Sequence, residues 1–210
     1  MALINGKCVI DASLDNAAAY TDEIIVVVGY YGDQIRRHIG NRWRGKPVRY
    51  VFQEEQKGLL DAMKCAQSQI DGSEFILFLG DEILIRPNHF LMIDSFYRNR
   101  AFAVCGLVYE ENKDRIKKTY CVHMNEKLIN KLEEKPSRPE TNWMGTGNCI
   151  FNSHFFDYIH QLDDGSNKSF PDVLQMAIDN GEKVYGTVLC EKYFNINTKE
   201  DYFEYMEEEL

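Results

Sequence analysis

The chain reads as an α/β protein built on a parallel or mostly parallel sheet with right-handed crossovers. Two apolar runs, Ile24–Val28 and Phe75–Leu79, are unbroken, as in strands buried on both faces. Each ends at a glycine, Gly29 or Gly80, where the backbone can turn tightly. Segments of helical period alternate with such runs through the first half of the chain, the pattern of parallel strands joined by crossover helices.

In order, Val9–Tyr20 places Val9, Ile10, Leu14 and Ala17 or Ala18 on one helical face. Ile24–Val28, rich in β-branched residues, is a strand. Asp33–Ile39 is a short helix, Val48–Phe52 a strand and Leu59–Ile70 a helix. Phe75–Leu79 is a strand, Asn88–Arg100 a helix and Ala101–Tyr109 a strand. Thr119–Met124 and Lys127–Leu132 form strands around a turn at Asn125-Glu126. Glu134–Thr141 holds two prolines and reads as loop. Gly147–Phe151 is a strand, His154–Gln161 and Phe170–Asn180 are helices, and Val184–Leu189 is a strand. Thr198–Glu209 closes as a helix with Glu200 and Asp201 in its first turn, where they complement the helix dipole. The stretch from about Val104 to Leu132 is richer in strands. Nothing splits the 210 residues, so a single domain over 1–210 is expected.

Composition narrows the function. Apolar residues make up 44% and the net charge is -9, which argues against a general binder of nucleic acid or anionic membrane. No apolar run reaches the roughly 18–20 residues of a membrane span. The opening Met1–Gly6 is too short and polar for a signal peptide. Six cysteines are scattered without a C-x-x-C pair, which argues against zinc and for a reducing, cytoplasmic compartment.

The candidate chemistry begins at Leu79-Gly80-Asp81-Glu82. Ligands of open α/β sheets bind beyond the carboxyl ends of strands. A carboxylate there suits a hard divalent cation that also holds phosphates. Alone, Asp81 reads more plainly as the cap of a turn. Other motifs come in order: Ile24–Tyr30, then Gln53–Ala62 with Lys57-Gly58, then Leu132-Glu133-Glu134-Lys135-Pro136. Last are Thr141–Phe151, containing Gly145-Thr146-Gly147-Asn148, and Asn195-Ile196-Asn197-Thr198-Lys199-Glu200-Asp201.

This ordered set resembles the sugar-1-phosphate nucleotidylyltransferases, with glucose-1-phosphate thymidylyl- and uridylyltransferases the nearest types. The resemblance runs over nearly the whole chain, and its specificity lies in the order of the motifs. It implies a Rossmann-like three-layer sandwich with a mostly parallel, mixed central sheet. It also implies a reaction in which a sugar 1-phosphate attacks a nucleoside triphosphate and pyrophosphate leaves. Such chemistry needs positioning and charge neutralisation more than a covalent nucleophile. By the resemblance, Gln53 reads the base edge, Gly58 lets the base approach the backbone, and Asp81 holds Mg²⁺ on the triphosphate. Asn195 takes the second metal position. Lys135 serves the sugar phosphate and, with Asp81, is expected to be catalytic. Glu134 suits a sugar hydroxyl, and Thr146 and Gly147 bring a backbone close to the sugar. Glu82 has no assigned role and reads as a solvated neighbour. Pro136 should hold Lys135 in extended geometry. Taken singly, each site has a plainer reading. Gln53–Gly58 is a polar loop with a hinge, Glu134-Lys135 an exposed ion pair, and Thr146-Gly147 a turn before a strand.

Two departures stand out. The 210 residues contain no glycine-rich G-x-G-x-R loop and no Pro-Lys pair after it, and Met1–Lys7 resembles the family's segment just downstream of that pair. The resemblance therefore implies a domain incomplete at its N-terminus, such as a reading frame started at an internal Met. The first strand would be missing between Ile24–Val28 and Phe75–Leu79, leaving a gap unless those strands pair directly. Asn195 stands where the family usually has an aspartate, which lowers the expected metal affinity. These departures predict weak or no catalysis by the chain as it stands. The alternative is a non-catalytic nucleotide-sugar-binding or regulatory module. A glycosyltransferase of the same general fold would want a D-x-D motif, which Gly80-Asp81-Glu82-Ile83 lacks. The partners implied are a nucleoside triphosphate and a sugar 1-phosphate, with no nucleic acid or membrane, and homo-oligomers are common among members.

Overall fold

A computed structural model describes residues 3–4, 6–70, 72–162 and 168–209, so part of the Met1–Lys7 match lies outside the described residues. The chain opens with a small hairpin of β1 (Leu3–Ile4) and β2 (Lys7–Cys8) and enters α1 (Val9–Tyr20). The helix starts here because Asp11, in its first turn, accepts the Cys8 N–H at 3.1 Å. It buries Val9, Leu14, Ala17 and Ala18, the face expected from their spacing. Strand β3 (Ile24–Val28), helix α2 (Gly32–Ile39), a short β4 (Arg42–Trp43) and β5 (Lys46–Phe52) come next. Then come α3 (Leu59–Ile70), β6 (Phe75–Leu77), β7 (Glu82–Ile85) and α4 (His89–Asn99). After these are β8 (Ala103–Tyr109), α5 (Lys113–Ile116), β9 (Tyr120–Asn125), β10 (Leu128–Glu134) and β11 (Trp143–Phe151). The last elements are α6 (Phe155–Gln161), α7 (Phe170–Asp179), β12 (Val184–Val188), β13 (Lys192–Asn195) and α8 (Lys199–Glu209).

The central sheet is mixed, with strand order β6-β11-β8-β12-β10-β9. Strand β11 runs antiparallel to both β6 and β8, β12 runs parallel to β8, β10 antiparallel to β12, and β9 antiparallel to β10. Thus β6, β8, β12 and β9 share one direction, while β11 and β10 oppose it. Most strands point the same way, but the placement of β11 and β10 makes four of the five neighbouring pairs antiparallel. Strands β3 and β5 pair in parallel in a separate small sheet, and β13 pairs antiparallel with β7.

Strand β8 shows why the domain has three layers. Ala103, Cys105 and Leu107 face one apolar cluster, with Phe151, Phe155, Val173 and Leu174. Val104 and Val108 face another, with Met92, Phe96, Ile116 and Leu189. A period of two therefore feeds two cores, one on each face of the sheet. All six cysteines are free.

The outer edge of β3 and the outer edge of β6 have no strand partner among the described residues. The two strands do not pair with each other. A cavity of about 670 Å³ separates them, lined by Ile24–Val27 of β3 and Phe75–Leu79, and roofed by apolar side chains of α1 and α3 such as Leu14 and Met63.

Candidate active site

Asp81 leaves the carboxyl end of β6 through Gly80, which packs against Ile10; a Cβ at Gly80 would lie 3.3 Å from that side chain. Burial raises the Asp81 carboxyl above the usual carboxylate range. Its carbonyl accepts the Ile196 N–H at 2.8 Å. Strand β13 then runs back along β7 with Asn195 opposite Glu82. The two residues expected at the metal, Asp81 and Asn195, are thus brought onto adjoining backbones 114 positions apart in sequence. The Asn195 Oδ1 atom is buried and has no hydrogen-bond partner. An orphaned carbonyl oxygen beside a carboxylate fits a hard cation such as Mg²⁺, which takes oxygen ligands.

Glu82 corrects the sequence reading. It is not a solvated neighbour but begins β7 and is only 2% exposed. Its Oε1 accepts the Gly147 N–H and the Tyr193 hydroxyl, each at 2.7 Å. Its Oε2 accepts from Asn148 Nδ2 at 2.7 Å. Burial pushes the carboxyl up to about 7, and the Tyr193, Gly147 and Asn148 donors oppose that rise. A glutamate is rarely buried unless its oxygens find donors, and the donors here come from distant strands. Only Ile83-Leu84-Ile85 immediately after it could have signalled a strand beginning at Glu82.

Thr146 and Gly147 do not form a turn before a strand. They lie within β11, at an irregularity where its register with β8 shifts between Gly145 and Cys149. The Thr146 carbonyl accepts from the buried Tyr120 hydroxyl at 3.0 Å, and its Oγ1 donates to the Gly106 carbonyl at 3.0 Å. A Cβ at Gly147 would collide with Leu79 and stand 2.6 Å from Glu82 Oε1. Packing within the protein therefore already requires glycine at this position.

Glu134 ends β10, and its carboxyl is raised chiefly by burial, with Lys135 working against that. The Lys135 Nζ lies 3.9 Å from Glu134 Oε1 and its side chain is 67% exposed. The expected extended geometry of Lys135 is overturned, since its φ is +43°. Its N–H donates to the Thr119 carbonyl at 2.6 Å, which extends the β9–β10 ladder by one bond. The chain turns at once toward Pro136, and this sharp exit places Lys135 in the left-handed region. Thr119 in turn donates Oγ1 to the Gly145 carbonyl at 2.7 Å. The sugar-side residues are therefore linked through Thr119. A cavity of about 80 Å³ beside Thr119 is also lined by Asn195, Asn197, Arg115 and Lys118. The last two are cations that the sequence reading passed over inside the charged run Lys113–Lys118. Arg115 is held by Glu110 and Glu204 and Lys118 by Asp201.

Gln53 and Gly58 stand apart from this group. Gln53 follows β5, and its Nε2 donates to the Gly58 carbonyl at 3.2 Å and to Asp61 Oδ2 at 2.7 Å. Gly58, at φ +89°, opens α3 with free space where a Cβ would be. Helix α3, which follows Gly58, lines the same 670 Å³ cavity as Phe75–Gly80, the segment that leads to Asp81.

The fold and this site define a mixed-sheet α/β protein with a carboxylate–amide pair beyond the end of a strand and a glycine-bearing strand beside it. Residues 1–210 match the nucleotidyl transferase family, and the chain belongs to that family. It is 28% identical over 188 residues to the UTP–glucose-1-phosphate uridylyltransferase AglF of Haloferax volcanii, covering 88% of this chain and 76% of that protein. It is 29% identical over 205 residues to the bifunctional protein GlmU of Symbiobacterium thermophilum, covering 88% of this chain but 41% of GlmU. A UDP-glucose pyrophosphorylase solved with UDP-glucose superposes with a TM-score of 0.85 at 17% identity, covering 99% of this chain and 90% of that one. This last likeness concerns the fold. No described helix is long and apolar enough to cross a membrane.

Proposed function

We propose that the protein joins a nucleoside triphosphate to a sugar 1-phosphate, giving a nucleotide-sugar and pyrophosphate. The observation that carries this reading is the meeting of Asp81, Asn195 and Thr146-Gly147 around one buried carboxylate, in a chain matched along its whole length by the family. Asp81 and Asn195 would hold Mg²⁺, which supplies charge neutralisation for the phosphates when bound. Lys135, an exposed point charge, meets the sugar phosphate, and Glu134 a sugar hydroxyl. Gln53 reads the base edge, with Gly58 leaving room for it. The reaction belongs in the cytoplasm, and members of such families commonly work as homo-oligomers.

We further propose that a strand carrying a triphosphate-binding loop seats in the gap between β3 and β6, and that the 210 residues alone turn over at most weakly. The unpaired edges of both strands and the apolar walls between them support this. Pyrophosphate release from glucose 1-phosphate with UTP, dTTP, CTP or GTP tests it; fast turnover by these 210 residues would refute the impairment. The neutral Asn195 favours a second reading, a nucleotide-sugar-binding module without catalysis. Calorimetry with a nucleotide-sugar and no metal separates the two, since tight binding without turnover belongs to the module.

A further inference from the structure

We infer that Glu82 is a positioning residue that fixes the Gly147-Asn148 backbone against the Asp81–Asn195 strand pair, and that its hydrogen bonds orient a chain of donors and acceptors that begins at His89. The inference rests on the reading of Gly147 as part of the sugar site. Glu82 is buried and accepts from donors on two other strands, Gly147 and Asn148 of β11 and Tyr193 of β13. Its own strand, β7, carries Asp81 at its entrance and pairs with the strand of Asn195. One carboxylate therefore pins the metal side and the sugar side to each other. Glu82 Oε2 accepts from Asn148 Nδ2 at 2.7 Å, so the Asn148 amide turns its nitrogen toward Glu82. Its Oδ1 is then left facing His89 Nε2 at 2.9 Å.

The consequence reaches His89, which is 1% exposed and whose imidazole burial drives toward the neutral form. With Asn148 Oδ1 as acceptor, His89 must carry its proton on Nε2. Its Nδ1 is then a bare lone pair, and it is indeed the ring nitrogen without a partner. The chain of donors and acceptors runs in one direction only, His89 to Asn148 to Glu82, and Glu82 sets that direction.

Glu82→Gln tests the assignment. The amide introduced by E82Q can keep its oxygen for Gly147 and Tyr193, but its NH₂ meets the Asn148 NH₂. Asn148 must flip, its NH₂ then donates to His89 Nε2, and the His89 proton moves to Nδ1. Nitrogen NMR of His89 in the ligand-free protein reads this shift directly. Calorimetry with UDP-glucose should show affinity reduced about tenfold, the low end of the cost of losing a partner that orients a site. A His89 proton that stays on Nε2, or an unchanged affinity in a protein whose parent binds, overturns the inference. Glu82→Asp provides a second variant that keeps the carboxyl but not the reach. It should expose the Gly147 amide to hydrogen exchange about tenfold faster and weaken UDP-glucose as E82Q does. Unchanged protection of that amide also overturns the inference. If the parent protein binds no UDP-glucose, the sugar-site reading fails, while the His89 tautomer and Gly147 protection, both read without ligand, still decide the role of Glu82.

Discussion

The Tyr193 hydroxyl donates to Glu82 Oε1 at 2.7 Å, joining two strands 111 residues apart in sequence inside a fully buried site. A neutral donor to a buried carboxylate is worth more than an ordinary hydrogen bond, because water cannot take its place. Tyr193→Phe should therefore destabilise the protein by about 2 kcal/mol. Measured above about pH 8, where Glu82 with its carboxyl raised to about 7 is ionised, the same change in an E82Q background should cost roughly half as much, since the acceptor is then neutral. Urea unfolding of the four proteins closes this cycle. Equal losses in both backgrounds would show that the Tyr193 hydroxyl contributes independently of the Glu82 carboxylate.

Two glycines of the motifs should respond differently to alanine. At Gly145 a Cβ would overlap the ring of Tyr120, which is 2% exposed and packs edge-on to Phe170 at 5.3 Å. That ring cannot swing away, so Gly145→Ala should exceed the roughly 1–3 kcal/mol of ordinary overpacking and yield little folded protein. At Gly58 there is open space, and only the positive φ of 89° resists. Gly58→Ala should cost about 1–2 kcal/mol and leave a folded chain. Circular dichroism and soluble yield compare the pair, and a well-folded G145A would refute the packing argument.

The unpaired edges at the gap should be visible in amide exchange. Strand β3 has β5 on one side and β6 has β11 on one side, so each alternate N–H facing the cavity has no strand acceptor. Those amides should exchange well before the amides of β8, whose Ala103, Val104 and Cys105 are fully buried between two paired neighbours. Uniformly slow exchange across β3 and β6 would mean that the gap closes in solution.

Where a segment repeats its pattern over many residues, the sequence was legible. Helices Val9–Tyr20 and Leu59–Ile70 and strand Ile24–Val28 have the bounds their periodicity predicts. Strands β7 and β13 were not, because four residues cannot display a period and each exists only by pairing with the other. The same long-range pairing hid Glu82, whose burial depends on donors that no local pattern reveals. The conformation of Lys135 was misjudged because the local effect of Pro136 yielded to the bond to Thr119. Asp81 and Asn195 were singled out through the family's motif order. Their meeting required the fold.

Restoring a carboxylate at Asn195 should trade stability for cation dependence. The Asp81 carboxyl is already raised by burial, and Glu82 lies opposite Asn195 in the strand pair. A third carboxylate adds repulsion that nothing in the protein alone relieves, so Asn195→Asp should melt lower than the parent without metal. Mg²⁺ binds only the folded arrangement and should recover that loss, since a ligand of the native state stabilises in proportion to the logarithm of its concentration over Kd. The parent, with one neutral ligand, should gain less from the same Mg²⁺. Thermal melts of both proteins across a Mg²⁺ series give the comparison. If the two rise equally with Mg²⁺, Asn195 does not face the cation, and Asp81 must hold it with other oxygens.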